Sequence, residues 1–333
     1  MRTTGSSGYE MDQRTGVIAL ILSTTGMGLA GCLTRGATRT DFFGTEYVAG
    51  ESIGAFMTLG RMVCGLLTFA ILLLATRRVR TFAQTRVTPS ILLGGLCIGV
   101  ALSLYMVSAL LTTLADAVFL IYTGPLFCTL LARVFRGERI SAGQGACLAL
   151  VFVGMLFTAG IVSVRDGALS VGFDLAASEP GYPKKGLGDM LGLLSGVFYG
   201  LSLFFNGYRK DCDSVVRGVW NFGAASVGAL VVALSMCFVW PLGDVSMTAS
   251  NWGFAAALWL ICGPFALGLL LVAGRNLPAV EYSTIAYWEC VVSVAVGALV
   301  YQEPMSASTT IGGALIIAGG ILPAVRSFLP KRA

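Results

Sequence analysis

Residues 117–141 read AVFLIYTGPLFCTLLARVFRGERIS, and the fold follows from how this stretch is understood. It begins with an apolar run, Ala117 to Leu131, that supplies most of a membrane-spanning helix. Pro125 sits inside the run. A soluble helix rarely tolerates an interior proline, whereas in a membrane helix neighbouring helices and hydroxyls satisfy the carbonyl that proline frees. Arg133, Arg136, Glu138 and Arg139 close the run and hold that end at the water interface. Ser141 then precedes a second apolar run, 142–163. The stretch is a helix, a tight charged turn and a helix.

The same arrangement returns 165 residues later without a gap. Tyr122, Glu138, Ser141, Ala142, Ala149, Leu150 and Gly154 become Tyr287, Glu303, Ser306, Ala307, Ala314, Leu315 and Gly319, and Asp116 becomes Glu281. The preserved order of acid, Tyr, Glu and Ser-Ala argues against coincidence. A repeat of this length halves the 333-residue chain. Elsewhere Gly16, Leu22, Ser23, Gly28 and Leu29 match Gly188, Leu194, Ser195, Gly200 and Leu201, and Gly99 and Ala109 match Gly263 and Ala273.

PLFCTLLARVFRGERIS resembles the signature that ends the fourth helix of EamA-type transporters, in the drug/metabolite transporter superfamily. WECVVSVAVGALVYQEPMS, residues 288–306, resembles the second copy at the end of the ninth helix. It departs in having Cys290 where that family often has Pro, and Gln302 in place of Gly. Gly60-Arg61 also resembles the family pattern, and the likeness spans roughly 16–326. It implies a ten-helix carrier whose first, third, fourth, sixth, eighth and ninth helices line a cavity, with Arg61 mainly structural.

Composition agrees with a membrane body. Hydrophobic residues make up 56%, charged residues 12%, and the mean hydropathy is +0.82. An ordinary soluble domain carries about 25% charge. The net charge of +5 does not point to nucleic acid, because the basic residues fall in short loops between apolar runs. No cleavable signal peptide is evident. The chain has no His, which removes the usual general base and the commonest metal ligand. Its nine Cys read as small packing residues, with neither a disulfide framework nor a zinc site. No cofactor is expected.

Ten apolar runs follow a polar tail, at about 16–34, 53–75, 90–111, 116–135, 142–163, 188–207, 217–240, 252–274, 279–301 and 307–326. With the N-terminus inside, sixteen Lys and Arg fall in inside loops and five in outside loops, with Arg61 within a span. The positive-inside rule then places both termini in the cytoplasm of an inner (plasma) membrane protein. Five helices per half is an odd number, so the second half enters from the opposite side and the repeat is inverted. The expected organisation is a cytoplasmic tail (1–15), a first repeat (16–163), an external linker (164–187), a second repeat (188–326) and a cytoplasmic tail (327–333). The linker reads as a solvated loop, with a lid as the alternative. The outer loop 35–52 is expected to carry a short interfacial helix through Asp41-Phe42-Phe43.

Hydroxyl and aromatic residues gather at helix midpoints. Ser23, Tyr105, Tyr122, Ser195, Tyr199, Trp259, Tyr287, Trp288 and Glu289 are the candidates for a substrate cavity, with plain core packing as the alternative for each aromatic. Tyr122 and Tyr287, at equivalent positions, are expected to face each other across the pseudo-axis. Within one regular helix Tyr287 and Glu289 point away from each other, since each residue turns about 100°. Arg61 and Glu289 are ionisable residues at depth, each costing about 2.5–3.5 kcal/mol to insert. They read either as a structural ion pair or as an amine-binding or proton-carrying acid and its neighbour. Asp116, Glu281, Asp189 and Glu303, at span ends, read as interface markers. Gly188, Gly192, Gly196 and Gly200 form a ladder for close helix approach.

The reading is an all-α polytopic carrier of two inverted five-helix repeats. It moves a small metabolite, an amino acid or related amine, outward by alternating access, with protons as a coupling ion. An intramembrane enzyme would need a catalytic set, yet the sequence holds no G-x-S-x-G, no H-E-x-x-H and no paired acids at helical spacing within a span. A scaffold or receptor would not need an inverted repeat with polar midplane residues.

Overall fold

Proline and glycine decide where the long apolar runs stay straight and where they break. The computed structural model describes residues 13–44, 46–165, 168–172, 174–208, 212–277, 282 and 285–328. The first run forms α1 (Gln13–Gly28) and α2 (Ala30–Thr38), interrupted at Leu29. Next come α3 (Ile53–Ala75), a short α4 (Val79–Gln84) and α5 (Pro89–Leu111), which starts on its proline. The quoted stretch forms α6 (Leu114–Ile121) and α7 (Gly124–Arg136). Their break at Tyr122–Thr123 follows from Pro125, which offers no N–H and crowds the carbonyl of Ile121 four residues back. Gly137, at φ 64°, ends α7 in the left-handed conformation. Ser141 and Gln144 then cap α8 (Ala142–Thr158) reciprocally.

A two-stranded antiparallel hairpin, β1 (Val162–Arg165) and β2 (Ala168–Val171), opens the connection between the halves. The second half contains α9 (Lys185–Asn206) and α10 (Ser214–Val239). Then α11 (Ala249–Leu260) passes through a π-helical turn at Ile261–Phe265, around Pro264, into α12 (Ala266–Asn276). After Tyr287 come α13 (Trp288–Leu299) and α14 (Ala307–Phe328). Among the described residues seven helical segments are long and apolar enough to cross a membrane: Gln13–Thr38, Ile53–Ala75, Pro89–Leu111, Leu114–Arg136, Lys185–Asn206, Ser214–Val239 and Ala249–Gly274. Three further apolar helices, at Ala142–Thr158, Trp288–Leu299 and Ala307–Leu322, are shorter. Side chains such as Leu67, Ile71, Val134, Leu234 and Phe238 are exposed around the bundle, Phe238 to 91%. Such an apolar belt suits lipid rather than water.

Two ends can be told apart. The arginine-rich end lies where α3 and α7 finish. The linker end holds the hairpin, the start of α9 and the turn between α13 and α14. Across the bundle α5 packs along α9 and α1 along α12, while α7 and α6 meet α9 and α1 meets α13. The pairs α3–α10, α8–α14 and α6–α13 also touch. The largest buried cluster joins Met27, Tyr105, Phe119, Leu258, Tyr287 and Ile316 from across the chain.

Three expectations need correction here. The first helix runs on to Thr38, so Arg35 is a helical residue and fully buried, not a loop residue. No helix passes through Asp41-Phe42-Phe43; the segment turns back, bridging Arg39 to Tyr47, and Phe42 stacks between Phe254 and Tyr301. The linker is not wholly solvated, because Tyr182 and Lys185 are buried in the bundle end. The expected tails and Glu281 lie largely or wholly outside the described residues.

Candidate functional site

The break before α7 and the turn before α13 meet in the middle of the bundle. The Tyr122 and Tyr287 rings lie 5.3 Å apart at 50°. The Tyr122 hydroxyl donates to Glu289 Oε2 at 2.9 Å and lies 3.1 Å from the Ala286 carbonyl. Tyr287 and Glu289 therefore both reach Tyr122, against the expectation that they diverge. The reason is local: Tyr287 sits in the turn ahead of α13, where the regular advance of 100° per residue does not apply.

Glu289 opens into a cavity of about 280 Å³ whose walls include Thr24, Met27, Arg61, Met62, Tyr105, Phe222 and Cys262. Small-molecule pockets commonly measure about 300–1,000 Å³, so this one suits a small ligand. Its wall draws on α3 and α10 as well as the helices that the family resemblance implied. A second cavity of about 410 Å³ lies beside it, toward the arginine-rich end, lined by residues such as Pro125, Thr129, Gln144, Leu203 and Gly320. Tyr122, Tyr199, Tyr282 and Ala286 line both.

Arg61 does not pair with Glu289. Its Nε donates to the Cys262 carbonyl at 3.3 Å and its Nη2 to Met27 Sδ at 2.7 Å, and among the described residues no salt bridge joins it to an acid. The Tyr105 hydroxyl is buried beside Ser293 without a hydrogen bond of ordinary geometry. The other candidates lie outside the cavity walls. Ser23 donates to the Ala266 carbonyl at 2.8 Å and pins α1 to α12. Ser195 donates to the Gly192 carbonyl within α9. Trp259 packs on Gly60 and donates to the Met57 carbonyl at 3.0 Å. Trp288 faces outward, 43% exposed, and donates to Thr25.

Asp116, Asp189 and Glu303, three of the acids read as interface markers, are buried instead, in two networks at the linker end. Glu303 accepts from Arg35, from the Tyr182 hydroxyl and from the Leu114 N–H at 2.9 Å. Arg35 also donates to the Ala109 and Thr112 carbonyls, each at 2.9 Å, and the Tyr301 ring lies 4.7 Å away. In the second network Lys185 Nζ bridges Asp116 at 2.7 Å and Asp189 at 2.9 Å. Thr112 donates to Asp189 at 2.6 Å and Thr309 to Asp116 at 2.7 Å. Burial pushes the Tyr182 phenol up to about 12, so it stays a donor to Glu303 at neutral pH. Burial, followed by repulsion from Arg35, lowers the Arg39 guanidinium. The i,i+4 spacing of Lys185 and Asp189 was the sequence signal for the second network. At the other end Arg136 pairs with Glu138 at 2.9 Å within one half, and Arg78 with Asp213 between halves; none of the four lines the larger cavity.

The glycine ladder of α9 lies against α5, α6 and α7. A Cβ at Gly196 would fall 2.5 Å from the Leu120 carbonyl, and one at Gly200 2.6 Å from the Gly124 carbonyl.

These features define an integral membrane protein of apolar helices with a half-buried acid lining a central cavity. The model of the EamA-like transporter family matches residues 186–323. That match is consistent with the drug/metabolite transporter superfamily. No curated protein matches the sequence. A solved structure titled only as a crystal structure of a protein is similar at a TM-score of 0.56 and 15% identity, covering 96% of this chain and 100% of its own. At that identity the likeness concerns the fold alone.

Proposed function

We propose that the protein is a ten-span carrier that moves a small amine-bearing metabolite outward across the plasma (inner) membrane by alternating access. Both termini are cytoplasmic, protons are the coupling ion, and residues 16–163 and 188–326 are inverted repeats joined by the linker 164–187. The contact pattern supports the inversion. Exchanging the two halves turns the α5–α9 contact into the contact of the first run with the eighth, and the α7–α9 contact into α1–α13. It leaves α3–α10, α8–α14 and α6–α13 in place. Such self-consistency is expected of halves related by a pseudo-two-fold axis, and an odd number of spans per half puts that axis in the membrane plane.

The observation that carries the function is Glu289, a half-buried carboxylate with one hydroxyl donor, lining a small cavity at a helix break. An acid at that depth is costly unless it serves a substrate or a proton. The two buried networks at the linker end fit a carrier closed on that side, with its larger cavity toward the other. Reconstitution in liposomes tests the reading. An imposed proton gradient should drive uptake of labelled amines or amino acids from a metabolite panel, and Glu289→Gln should fold normally but lose that uptake. A folded Glu289→Gln protein with unaltered rate and pH dependence would sink it.

A further inference from the structure

One buried cation at the linker end has no counter-charge. Arg39 follows α2 directly, and its backbone is fixed on both sides. Its N–H donates to the Arg35 carbonyl at 3.0 Å, and its own carbonyl accepts from the Asn251 amide at 2.8 Å. Arg39 is 4% exposed. Its Nη2 makes one long hydrogen bond, 3.5 Å to the Leu110 carbonyl, and its Nε makes none. Among the described residues no salt bridge reaches this guanidinium. Glu303 is taken by Arg35 and the Tyr182 hydroxyl, and both oxygens of Glu51 by Lys184 Nζ, at 2.7 and 2.8 Å. Of the neighbouring charges, that of Arg35 acts on Arg39 most, and it repels. The pairs Arg35–Glu303 and Lys184–Glu51 are each neutral, so the group as a whole carries the charge of Arg39. An arginine keeps its proton in a protein, and a buried charge is ordinarily paired.

Arg39 lines a cavity of about 100 Å³ together with Tyr47, Glu51, Leu110, Tyr182 and Lys184. We propose that this cavity binds a small monovalent anion of the halide class, such as chloride, against the Arg39 guanidinium. Charge and size select it. One negative charge makes the group neutral, water alone leaves it positive, and a divalent anion overshoots. The volume admits an atomic ion with a little water and excludes a bulky organic anion. Glu51 is on the same wall and repels an anion, but Lys184 holds both its oxygens. The walls come from the loop after α2, the end of α5 and the linker, so the bound ion ties these three together and shields Arg39 from Arg35. The ion therefore favours the closed linker end. None of this depends on what the central cavity carries.

The test uses the purified full chain in detergent at constant ionic strength, with sodium gluconate replaced stepwise by sodium chloride. The melting temperature should rise and saturate with chloride, and bromide should substitute for it. Sulfate should not. Arg39→Gln should weaken chloride binding tenfold or more, the loss expected for one charged hydrogen-bonding partner. Glu51→Gln removes the neighbouring carboxylate and should lower the half-saturating chloride concentration several-fold. The linewidth of the chloride NMR signal reads binding directly, and excess broadening by the parent protein should vanish in Arg39→Gln. If Arg39→Gln fails to fold, the halide-against-sulfate series on the parent and the Glu51→Gln shift still decide. A parent that melts alike in chloride and gluconate overturns the site. So does an equal response to chloride in the parent and Arg39→Gln, or to sulfate and chloride in the parent, since each means an ordinary salt effect and an adventitious ion only.

Discussion

Removing the charge of Glu303 should open the linker end. The Glu303 carboxylate holds Arg35, Tyr182 and the Leu114 N–H together, joining the first helix, the linker, the start of α6 and the turn before α14. In Glu303→Gln the fully buried Arg35 keeps two carbonyls and an aromatic face but loses its counter-charge. Breaking a buried pair from one side costs about 3–5 kcal/mol, and the amide oxygen left behind argues for about 3. If the pair exists only when this end is closed, that cost falls on the closed state and multiplies the open population about a hundredfold. Ser108 lies one turn from Thr112 on α5 and is fully buried. A single cysteine there, on a background without the nine native cysteines, should be protected from an impermeant maleimide in the parent and react about a hundredfold faster with Glu303→Gln. Arg35→Met combined with Glu303→Gln should recover thermal stability, since no charge is left buried. Unchanged labelling alongside a lowered melting temperature would refute the reasoning, for the pair would then hold the fold and not the gate.

Other outcomes follow from the same geometry. Gly196→Ala should destabilise by about 1–3 kcal/mol because its Cβ meets the Leu120 backbone, whereas Gly172→Ala, with open space around it, should shift the melting temperature little. Gly196→Leu should abolish transport while Gly172→Leu leaves it. Single cysteines at position 83 and the C-terminus should label only from the cytoplasmic side and those at 44, 175 and 245 only from outside; external labelling of 83 would overturn the orientation. Lys185→Met should destabilise more than Lys184→Met, because Lys185 lies between two buried acids while Lys184 pairs with Glu51 near the surface.

The helices were legible because their causes are local, but Pro125 was read as tolerated within one span, and the break it makes at Tyr122–Thr123 was not foreseen. A constant offset of 165 makes Tyr122 and Tyr287 equivalent, and their rings meet. The capping of α8 by Ser141 is likewise a four-residue pattern. Apart from the i,i+4 pair Lys185 and Asp189, the linker-end networks were not legible, because their partners are remote in sequence: Arg35 and Glu303 are 268 positions apart, Asp116 and Thr309 193. An acid at the end of an apolar run looks the same whether it meets water or a buried cation. Arg35 was misplaced for a related reason. The polar residues Thr34-Arg35-Gly36 end the apolar pattern, but nothing there breaks a helix, so α2 continues and carries the guanidinium into the core. The mutual neglect of Arg61 and Glu289 was equally hidden, since two lone charges at depth invite pairing on paper. Only packing shows that Cys262 and Met27 occupy Arg61 instead.

The repeat makes one asymmetry informative. Glu138 and Glu303 occupy the same place in their halves, each just beyond the broken helix that carries Tyr122 or Tyr287. Glu303 is 9% exposed and bound across the halves, whereas the Glu138 side chain is 52% exposed and, among the described residues, pairs with Arg136, two residues away in its own half. A static scaffold built from a repeat has no reason to treat equivalent acids so differently. A carrier caught in one of two end states does, because closing one end and opening the other gives equivalent residues unlike surroundings at any moment. The same reasoning covers the cavities. The larger one extends from the tyrosines toward the end where Glu138 is free of the other half, and the side where Glu303 is locked holds two buried ionic networks. Sequence equivalence with structural inequivalence at the two acids is the pattern that the proposed alternating access would produce.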